Sequence, residues 1–274
     1  MMLRQFLNPP NWFTAASMFC GLYSIVLATG VGGDQNFYRA GLMILFAGVF
    51  DTIDGSVARL TKTGSEFGVQ LDSLVDVVSF GIAPAVLLYA WGTHALGLVG
   101  LAGAFFFALC GVFRLARFNC KTDGTKTLFT EGLTITMGGS MVAAAVMAHA
   151  RALPDQDIPP IGILAIAMAL ALLMVSSVPF RGWKTLKLRR RDILGISLML
   201  GFTLLMAVRY DISLAFFTAL TIYSASGPVE ALVTRKWTVA DEAGVGMAAM
   251  AGPDSVVREA LDALDALDEE DEGA

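Results

Sequence analysis

The sequence has few of the residues on which disulfide frameworks and zinc sites depend. Only 3 of its 274 residues are cysteine and 2 are histidine. Cys20, Cys110 and Cys120 are too widely spaced for a CxxC pair, and their odd number argues against both a disulfide framework and a zinc site. His94 and His149 lie far apart, near the ends of apolar stretches, and we interpret both as interfacial side chains without a chemical role.

Charged residues are also scarce. They make up 16% of the chain, against about a quarter of a typical soluble domain. Hydrophobic residues make up 55%, and the mean hydropathy is +0.65. This balance predicts a unit embedded in a membrane. The strongly basic run 181–191 stands beside apolar segments and not on a soluble face, so we expect no nucleic-acid partner.

Apolar runs of about 20 residues, the length that a helix needs to cross a bilayer, recur along the chain. They predict an all-α, polytopic bundle of transmembrane helices with about eight spans, and six to eight are compatible with the weaker boundaries. The N-terminal run has no small-residue cleavage pattern, so we expect it to be retained as a span. The predicted spans are 12–30, 38–58, 70–91, 95–115, 133–150, 160–178, 193–209 and 212–230.

The distribution of Lys and Arg predicts that both termini lie in the cytoplasm. With both termini in the cytoplasm and eight spans, 3 of the 19 Lys and Arg residues are external, namely Arg39, Arg151 and Arg209. The opposite orientation would put most Lys and Arg outside, against the usual preference of these residues for the cytoplasmic side. We expect residues 1–233 to form one membrane-embedded domain. Residues 234–274 are expected to form a cytoplasmic acidic tail, either disordered or containing a short amphipathic helix.

Four aspartates are the clearest candidates for a functional site. Asp51 and Asp54 are spaced i,i+3, and Asp72 and Asp76 are spaced i,i+4, so each pair shares one helix face beside the same predicted turn. A carboxylate within a span costs about 2.5–3.5 kcal/mol on insertion scales, and neighbouring carboxylates repel one another. With oxygen ligands alone, the compensating ions would be Mg²⁺ or Mn²⁺, two of which could be held close together. The alternative is a patch of interfacial acids facing water.

Residues 51–76 also carry a pattern of fixed positions. Residues 51–59 read DTIDGSVAR, and the run to Asp76 follows D-x2-D-G-x2-A-R-x8-G-x3-D-x3-D. At every fixed position this resembles the signature of the CDP-alcohol phosphatidyltransferases. The resemblance implies a membrane enzyme, in a homodimer, that moves a phosphatidyl group from CDP-diacylglycerol to the hydroxyl group of a small acceptor.

The resemblance also implies a role for each matching residue. The metal ligands would be Asp51, Asp54, Asp72 and Asp76, holding two divalent cations, Mg²⁺ or Mn²⁺. Asp76 would in addition be the general base for the acceptor hydroxyl. The residues expected to bind the CDP-lipid are Gly55, Ala58, Arg59, Gly68, Asn11 and Thr14.

Three further runs resemble the phosphatidylserine synthase branch of this family: PNWFT at 10–14, DVVSFGIAP at 76–84 and GVFRLARFN at 111–119. Arg114 and Arg117 share a helix face, and Arg is well shaped to bind a carboxylate through two hydrogen bonds. We therefore expect L-serine as the acceptor, bound by Arg114, Arg117 and Asn119. The alternative for the two arginines is anchoring to lipid headgroups at the cytoplasmic surface.

Other functions remain compatible with the sequence. Glycerol phosphate, inositol phosphate or choline could replace serine as the acceptor in the same chemistry. A cation transporter is a more distant alternative, but it predicts acids near the middle of the membrane on repeated, broken helices. The expected location is the cytoplasmic membrane of a prokaryote, with the active site facing the cytoplasm.

Overall fold

The computed structural model describes residues 8–31, 36–61, 65–121, 129–152, 156–181 and 201–234, and almost all of them are helical. Residues 201–209 are also helical, and they carry no label here. The labelled helices and strands are α1 (Pro9–Thr29), α2 (Phe37–Thr61), α3 (Glu66–Asp76), a π-helical segment (Val77–Ile82), α4 (Ala83–Trp91), a 3-10 turn (Thr93–Leu96), α5 (Leu98–Lys121), β1 (Phe129–Glu131), α6 (Ile135–Ala152), α7 (Pro160–Val175), β2 (Pro179–Arg181) and α8 (Ile212–Thr234).

The predicted all-α polytopic bundle is confirmed. Among the described residues, five stretches are long and apolar enough to cross a membrane. The helices α6 and α7, with 18 and 16 residues, lie at the fifth and sixth predicted spans, and α7 is apolar but short. Of the seventh predicted span, only 201–209 falls in the described part of the chain. The five stretches are Pro9–Thr29, Phe37–Thr61, Glu66–Trp91, Leu98–Cys120 and Ile212–Val229.

The described residues also include a pair of antiparallel strands of three residues each, β1 and β2. The sequence did not predict them, because they lie in connections between apolar runs. Gly132 follows β1 with φ +70°, and a Cβ atom there would lie 2.5 Å from the carbonyl oxygen of Met174. Only glycine therefore allows β1 to pass this close to the end of α7.

Two apolar clusters form the core of the bundle. One lies among α4, α5, α6, α7 and α8 and includes the buried side chains of Phe107 and Met174. The other joins α1, α2, the π-helical segment, α4 and α6 around Phe80 and Ile44. Both clusters involve α4 and α6. Because 11 of the 18 residues of α6 are buried, α6 lies inside the bundle with its neighbours packed around it.

Polar contacts join elements at the end of the bundle where α6 finishes. The indole N–H of Trp91 donates to Nδ1 of His149, and Nε2 of that ring lies 2.7 Å from the carbonyl oxygen of Gln156. Arg151 Nε lies 3.5 Å from a carboxylate oxygen of Asp211, before α8. These residues lie at the opposite end of the helices from the aspartates, and His149 joins chain segments there.

Candidate metal centre and neighbouring cleft

Three of the four sequence-predicted aspartates meet between α2 and α3. One carboxylate oxygen each from Asp51, Asp72 and Asp76 lies within 4.8 Å of the other two. The local fold explains the approach, because α3 starts only a few residues after α2 ends. Ser65 caps α3 by accepting a 3.1 Å hydrogen bond from the N–H of Gly68, and this fixes the start of the helix that carries the two later aspartates.

Asp54 lies outside this group of three carboxylates. Its side chain is buried at 5% exposure and accepts a 2.8 Å hydrogen bond from the hydroxyl of Thr14 on α1. That hydroxyl also lies 3.3 Å from the carbonyl oxygen of Pro10. Asp54 therefore connects α1 to α2 beside the cluster, and it remains close enough to interact electrostatically with Asp51 and Asp72.

The three clustered carboxylates have the chemistry that a hard divalent cation requires. All the donor atoms are oxygens, which suits Mg²⁺ or Mn²⁺ better than softer metals. The Oδ1 atom of Asp76 is buried and has no hydrogen-bond partner among the described residues. An unpaired carboxylate oxygen beside two other acids is costly in a membrane protein, and a cation would compensate for it. The residues therefore fit a divalent metal.

A cleft of about 140 Å³ lies next to the cluster, between α1, α2 and the start of α3. A Cβ atom built on Gly55 would meet nothing within 4 Å, so the backbone of α2 is open to the cleft at that point. Five of the six residues predicted to bind the CDP-lipid line it, and the sixth, Arg59, does not. The cleft is lined by Pro10, Asn11, Thr14, Asp54, Gly55, Ala58, Ser65, Gly68, Val69 and Asp72.

Arg59 is exposed on the turn of α2 that follows Ala58, and its guanidinium donates a 3.2 Å hydrogen bond to the Ser56 hydroxyl. It stands near the cleft without forming its wall. Ser65 was missed by the sequence analysis. Its position directly before α3, with the acidic Glu66 in the first turn, is typical of an N-cap and could have placed it beside the cleft.

The two arginines of α5 differ in their surroundings. Arg114 is buried at 6% exposure, stacks over the ring of Phe118 and interacts electrostatically with Asp76. The guanidinium of Arg117 instead donates to three backbone carbonyls, at 2.8 Å to Val175, 2.9 Å to Ser176 and 3.3 Å to Glu131. Arg114 therefore belongs to the aspartate region, while Arg117 joins α5 to the end of α7 and to β1.

Two further contacts build the same region. The side-chain amide of Asn119 donates a 3.0 Å hydrogen bond to the hydroxyl of Ser73, which joins α5 to α3 next to Asp72. Tyr223 of α8 interacts electrostatically with Arg114, and its ring lies 6.2 Å from that of Phe180 in β2. Sequence reasoning missed Tyr223, because no local pattern connects α8 with the aspartates.

Comparison with known proteins agrees with this geometry. The profile of the family described as CDP-alcohol phosphatidyltransferase matches residues 7–186. The CDP-diacylglycerol–serine O-phosphatidyltransferase of Helicobacter pylori (strain ATCC 700392 / 26695) is 33% identical over 178 residues, which cover 65% of this chain and 73% of that protein. The protein of the same name from Saccharomyces cerevisiae is 37% identical over 56% of this chain and 58% of its own length. The archaetidylserine synthase of Methanothermobacter thermautotrophicus is 32% identical, covering 65% and 71%.

Proposed function

This chain belongs to the CDP-alcohol phosphatidyltransferase family, and we propose that it transfers the phosphatidyl group of CDP-diacylglycerol to L-serine, giving phosphatidylserine and CMP. The observation that carries this proposal is the meeting of Asp51, Asp72 and Asp76 beside a cleft lined by the signature glycines. The names of the similar proteins support serine as the acceptor.

We propose that Asp51, Asp54, Asp72 and Asp76 hold two divalent cations, Mg²⁺ or Mn²⁺. When bound, such ions neutralise negative charge on the diphosphate of the lipid and on the departing CMP. The hydrogen bond from Thr14 fixes the orientation of the Asp54 carboxylate, so one face of the site is held in place before any ligand arrives.

The cleft suits the nucleotide end of CDP-diacylglycerol. Gly55, Ala58 and Gly68 carry little or no side chain, so a flat ring and a diphosphate can approach the helix backbones closely. Asn11 and Thr14 supply polar groups from α1 on the opposite wall. Arg59, exposed just beyond this wall, would pair with a phosphate at the mouth of the cleft.

Asp76 would be the general base. As the serine hydroxyl oxygen attacks the phosphorus that bears diacylglycerol, Asp76 takes the hydroxyl proton. A bond forms between serine oxygen and phosphorus, the bond from that phosphorus to the bridging oxygen breaks, and CMP leaves with the electron pair. The buried, unpartnered Oδ1 of Asp76 supports a position facing a reacting group or an ion.

Arg114 is the better candidate for the serine carboxylate. It is buried and interacts electrostatically with Asp76, so an amino acid bound to it would have its hydroxyl near the base. Arg117 and Asn119 would act on the acceptor site indirectly, by joining α5 to its neighbours. This refines the expected set of three acceptor-binding residues, since two of them bind other parts of the chain.

We also propose that residues 1–233 form the membrane domain of a homodimer in a prokaryotic cytoplasmic membrane, with the aspartates facing the cytoplasm. The excess of Lys and Arg on one side of the threaded chain supports this orientation. The acidic tail expected from residue 234 onward lies almost wholly outside the described residues.

The acceptor is tested with the purified full-length chain and CDP-diacylglycerol, by following CMP release with one candidate acceptor at a time. We expect release with L-serine and none above background with glycerol phosphate, inositol phosphate or choline. Release with one of these three but not with serine would leave the family assignment intact and contradict the proposed acceptor.

A further inference from the structure

The helix that carries Asp72 and Asp76 changes its hydrogen-bond register directly after Asp76. Residues Val77–Ile82 form a π-helical segment between α3 and α4. Such segments are rare, and they occur frequently at functional sites. The transition therefore lies between the candidate metal ligands and the part of the helix that is packed in the core.

Pro84 explains why the register changes here. A proline has no N–H, so in an uninterrupted α-helix it could not donate to the carbonyl of Phe80, and its ring would clash with that carbonyl. The N–H of Ala83 instead donates to the carbonyl of Val78, five residues earlier. The wider turn accommodates the proline without ending the helix.

On one side, the π-helical segment is held by α1. Ser79 is fully buried, and its hydroxyl donates a 3.1 Å hydrogen bond to the carbonyl oxygen of Ser17. A Cβ atom on Gly21 would lie 2.8 Å from the Cα of Ser79, so only glycine allows this approach. The two helices therefore meet backbone to backbone.

On the other side, it is held by α6. A Cβ atom on Gly139 would lie 2.7 Å from the carbonyl oxygen of Phe80 and 2.9 Å from its Cα atom. The Phe80 side chain itself is fully buried in the core cluster of α1, α2 and α6. With glycine contacts on both sides and Phe80 in the core, the segment has little freedom to rotate or slide.

The consequence for Asp76 follows from helix geometry. One extra residue in a turn changes the direction of the side chains before it by about 100° relative to those after it. The register change therefore sets where Asp76 points relative to α4, which is anchored in the core. We propose that the π-helical segment, held between α1 and α6, positions the Asp76 carboxylate beside Asp51 and Asp72, with Ser79 as the positioning residue. This inference rests on the proposed metal site.

The decisive comparison is Ser79→Ala with Ser24→Ala. Ser24 is also fully buried, and its hydroxyl donates a 2.8 Å hydrogen bond from α1 to the carbonyl oxygen of Ala40 on α2. Both substitutions remove one buried bond from a serine to a carbonyl on a neighbouring helix. They should therefore lower the melting temperature to a similar extent, while only Ser79→Ala should disturb Asp76.

The measurements are the Kd for Mn²⁺, by electron paramagnetic resonance on the purified full-length chain in nanodiscs, and kcat and KM for CMP release. For Ser79→Ala we expect the Mn²⁺ Kd to rise and kcat to fall, each by about tenfold. Tenfold is about the lower end of the range observed when a residue that orients a metal ligand is replaced. The serine KM should change by less than about twofold, and Ser24→Ala should leave all three values near those of the wild type.

Pro84→Ala provides a second route to the same result. It restores an N–H and removes the cause of the wider turn, so it should raise the Mn²⁺ Kd at least as much as Ser79→Ala. If both variants bind Mn²⁺ as the wild type does, the segment is a packing feature and the inference is wrong, although the proposed function stands. If the wild type binds no Mn²⁺, the proposed metal site fails and this inference fails with it.

Discussion

Thr14 on α1 donates a 2.8 Å hydrogen bond to the carboxylate of Asp54 on α2. Both side chains are nearly fully buried and both line the cleft beside the three clustered aspartates. A buried carboxylate requires such a partner, because its desolvation is otherwise uncompensated. The contact therefore serves the packing of two helices and the orientation of a candidate ligand at once.

Replacing Thr14 with Val tests the hydrogen bond to Asp54 while largely preserving the packing of the side chain. The substitution keeps the shape of the side chain and removes the donor to Asp54, a charged hydrogen bond of the kind worth about 1.5–3 kcal/mol. We expect a lower melting temperature and a KM for CDP-diacylglycerol that rises by about tenfold or more, with the serine KM little changed.

The matched control is Thr29→Val. Thr29 is exposed near the end of the same helix and its hydroxyl donates only to carbonyls within α1, at 2.9 Å and 3.3 Å. It should behave as the wild type in both assays. Equal effects of the two variants on the KM for CDP-diacylglycerol would show that the Thr14 contact has no specific part in binding the lipid.

Activity should depend on a divalent cation, because the cluster offers oxygen ligands alone. Exhaustive chelation should abolish CMP release, and Mg²⁺ or Mn²⁺ should restore it. Asp72→Asn should weaken Mn²⁺ binding, whereas Asp157→Asn, at an exposed position between α6 and α7, should not. Full turnover after chelation would rule out the metal site.

The two arginines of α5 should give different phenotypes when each is replaced by Ala. Arg114→Ala should raise the serine KM by about ten- to a hundredfold, the loss expected for a hydrogen bond to a charged group, and should leave the KM for CDP-diacylglycerol nearly unchanged. Arg117→Ala should mainly lower the melting temperature, because it removes the donors to three backbone carbonyls.

Steady-state kinetics in both substrates and thermal unfolding of each variant decide between these roles. If Arg114→Ala raised the KM of the lipid and not that of serine, Arg114 would be a headgroup anchor. A rise in serine KM for Arg117→Ala at an unchanged melting temperature would restore Arg117 as an acceptor-binding residue.

Local spacing predicted which residues share a helix face, and long-range packing determined what each of them contacts. The pairing of Asp72 and Asp76 follows from four-residue spacing, and their approach to Asp51 follows from a short connection between helices. The bond from Thr14 to Asp54 spans 40 residues, and no local pattern indicates it. Sequence spacing likewise could not distinguish Arg114 from Arg117, because the carbonyls that accept from Arg117 belong to β1, the last residue of α7 and the residue after it.

The change of hydrogen-bond register after Asp76 could be predicted from the sequence only in part. Pro84 signals an irregularity in a span, but the choice between a kink and a wider turn depends on what packs around it. Here Gly21 and Gly139 come from helices distant in sequence. Their role appears only when α1 and α6 are in place.

A pH dependence of stability should arise at the other end of the bundle. Asp211 lies between the helical residues 201–209 and α8, outside the apolar span that begins at Ile212. The backbone N–H of Ser213, which donates a 2.8 Å hydrogen bond, and the nearby Arg151 guanidinium hold the pKa of Asp211 below its usual range. A carboxylate with a lowered pKa in the folded state stabilises that state above the unfolded pKa of about 4.

This contribution should be lost as the pH falls below about 4 and through the lowered pKa of the folded state. The difference in melting temperature between the wild type and Asp211→Asn should therefore be largest near neutral pH and shrink in acid. The effect should be small, because the pair is partly exposed to solvent. A difference that stays constant from pH 7 to about pH 3 would contradict the assigned role.

The orientation of the bundle can be tested with single cysteines at two described, exposed positions. Cys120 lies near the end of α5 on the side of the aspartates, and Asp157 lies between α6 and α7. One variant keeps Cys120 and has Ser at the other two cysteines. The other has Ser at all three and carries Asp157→Cys. With the aspartates facing the cytoplasm, a membrane-impermeant maleimide applied to intact cells should label the cysteine at 157 and should reach Cys120 only after lysis. The reverse pattern would place the aspartates outside the cell and contradict the proposed orientation.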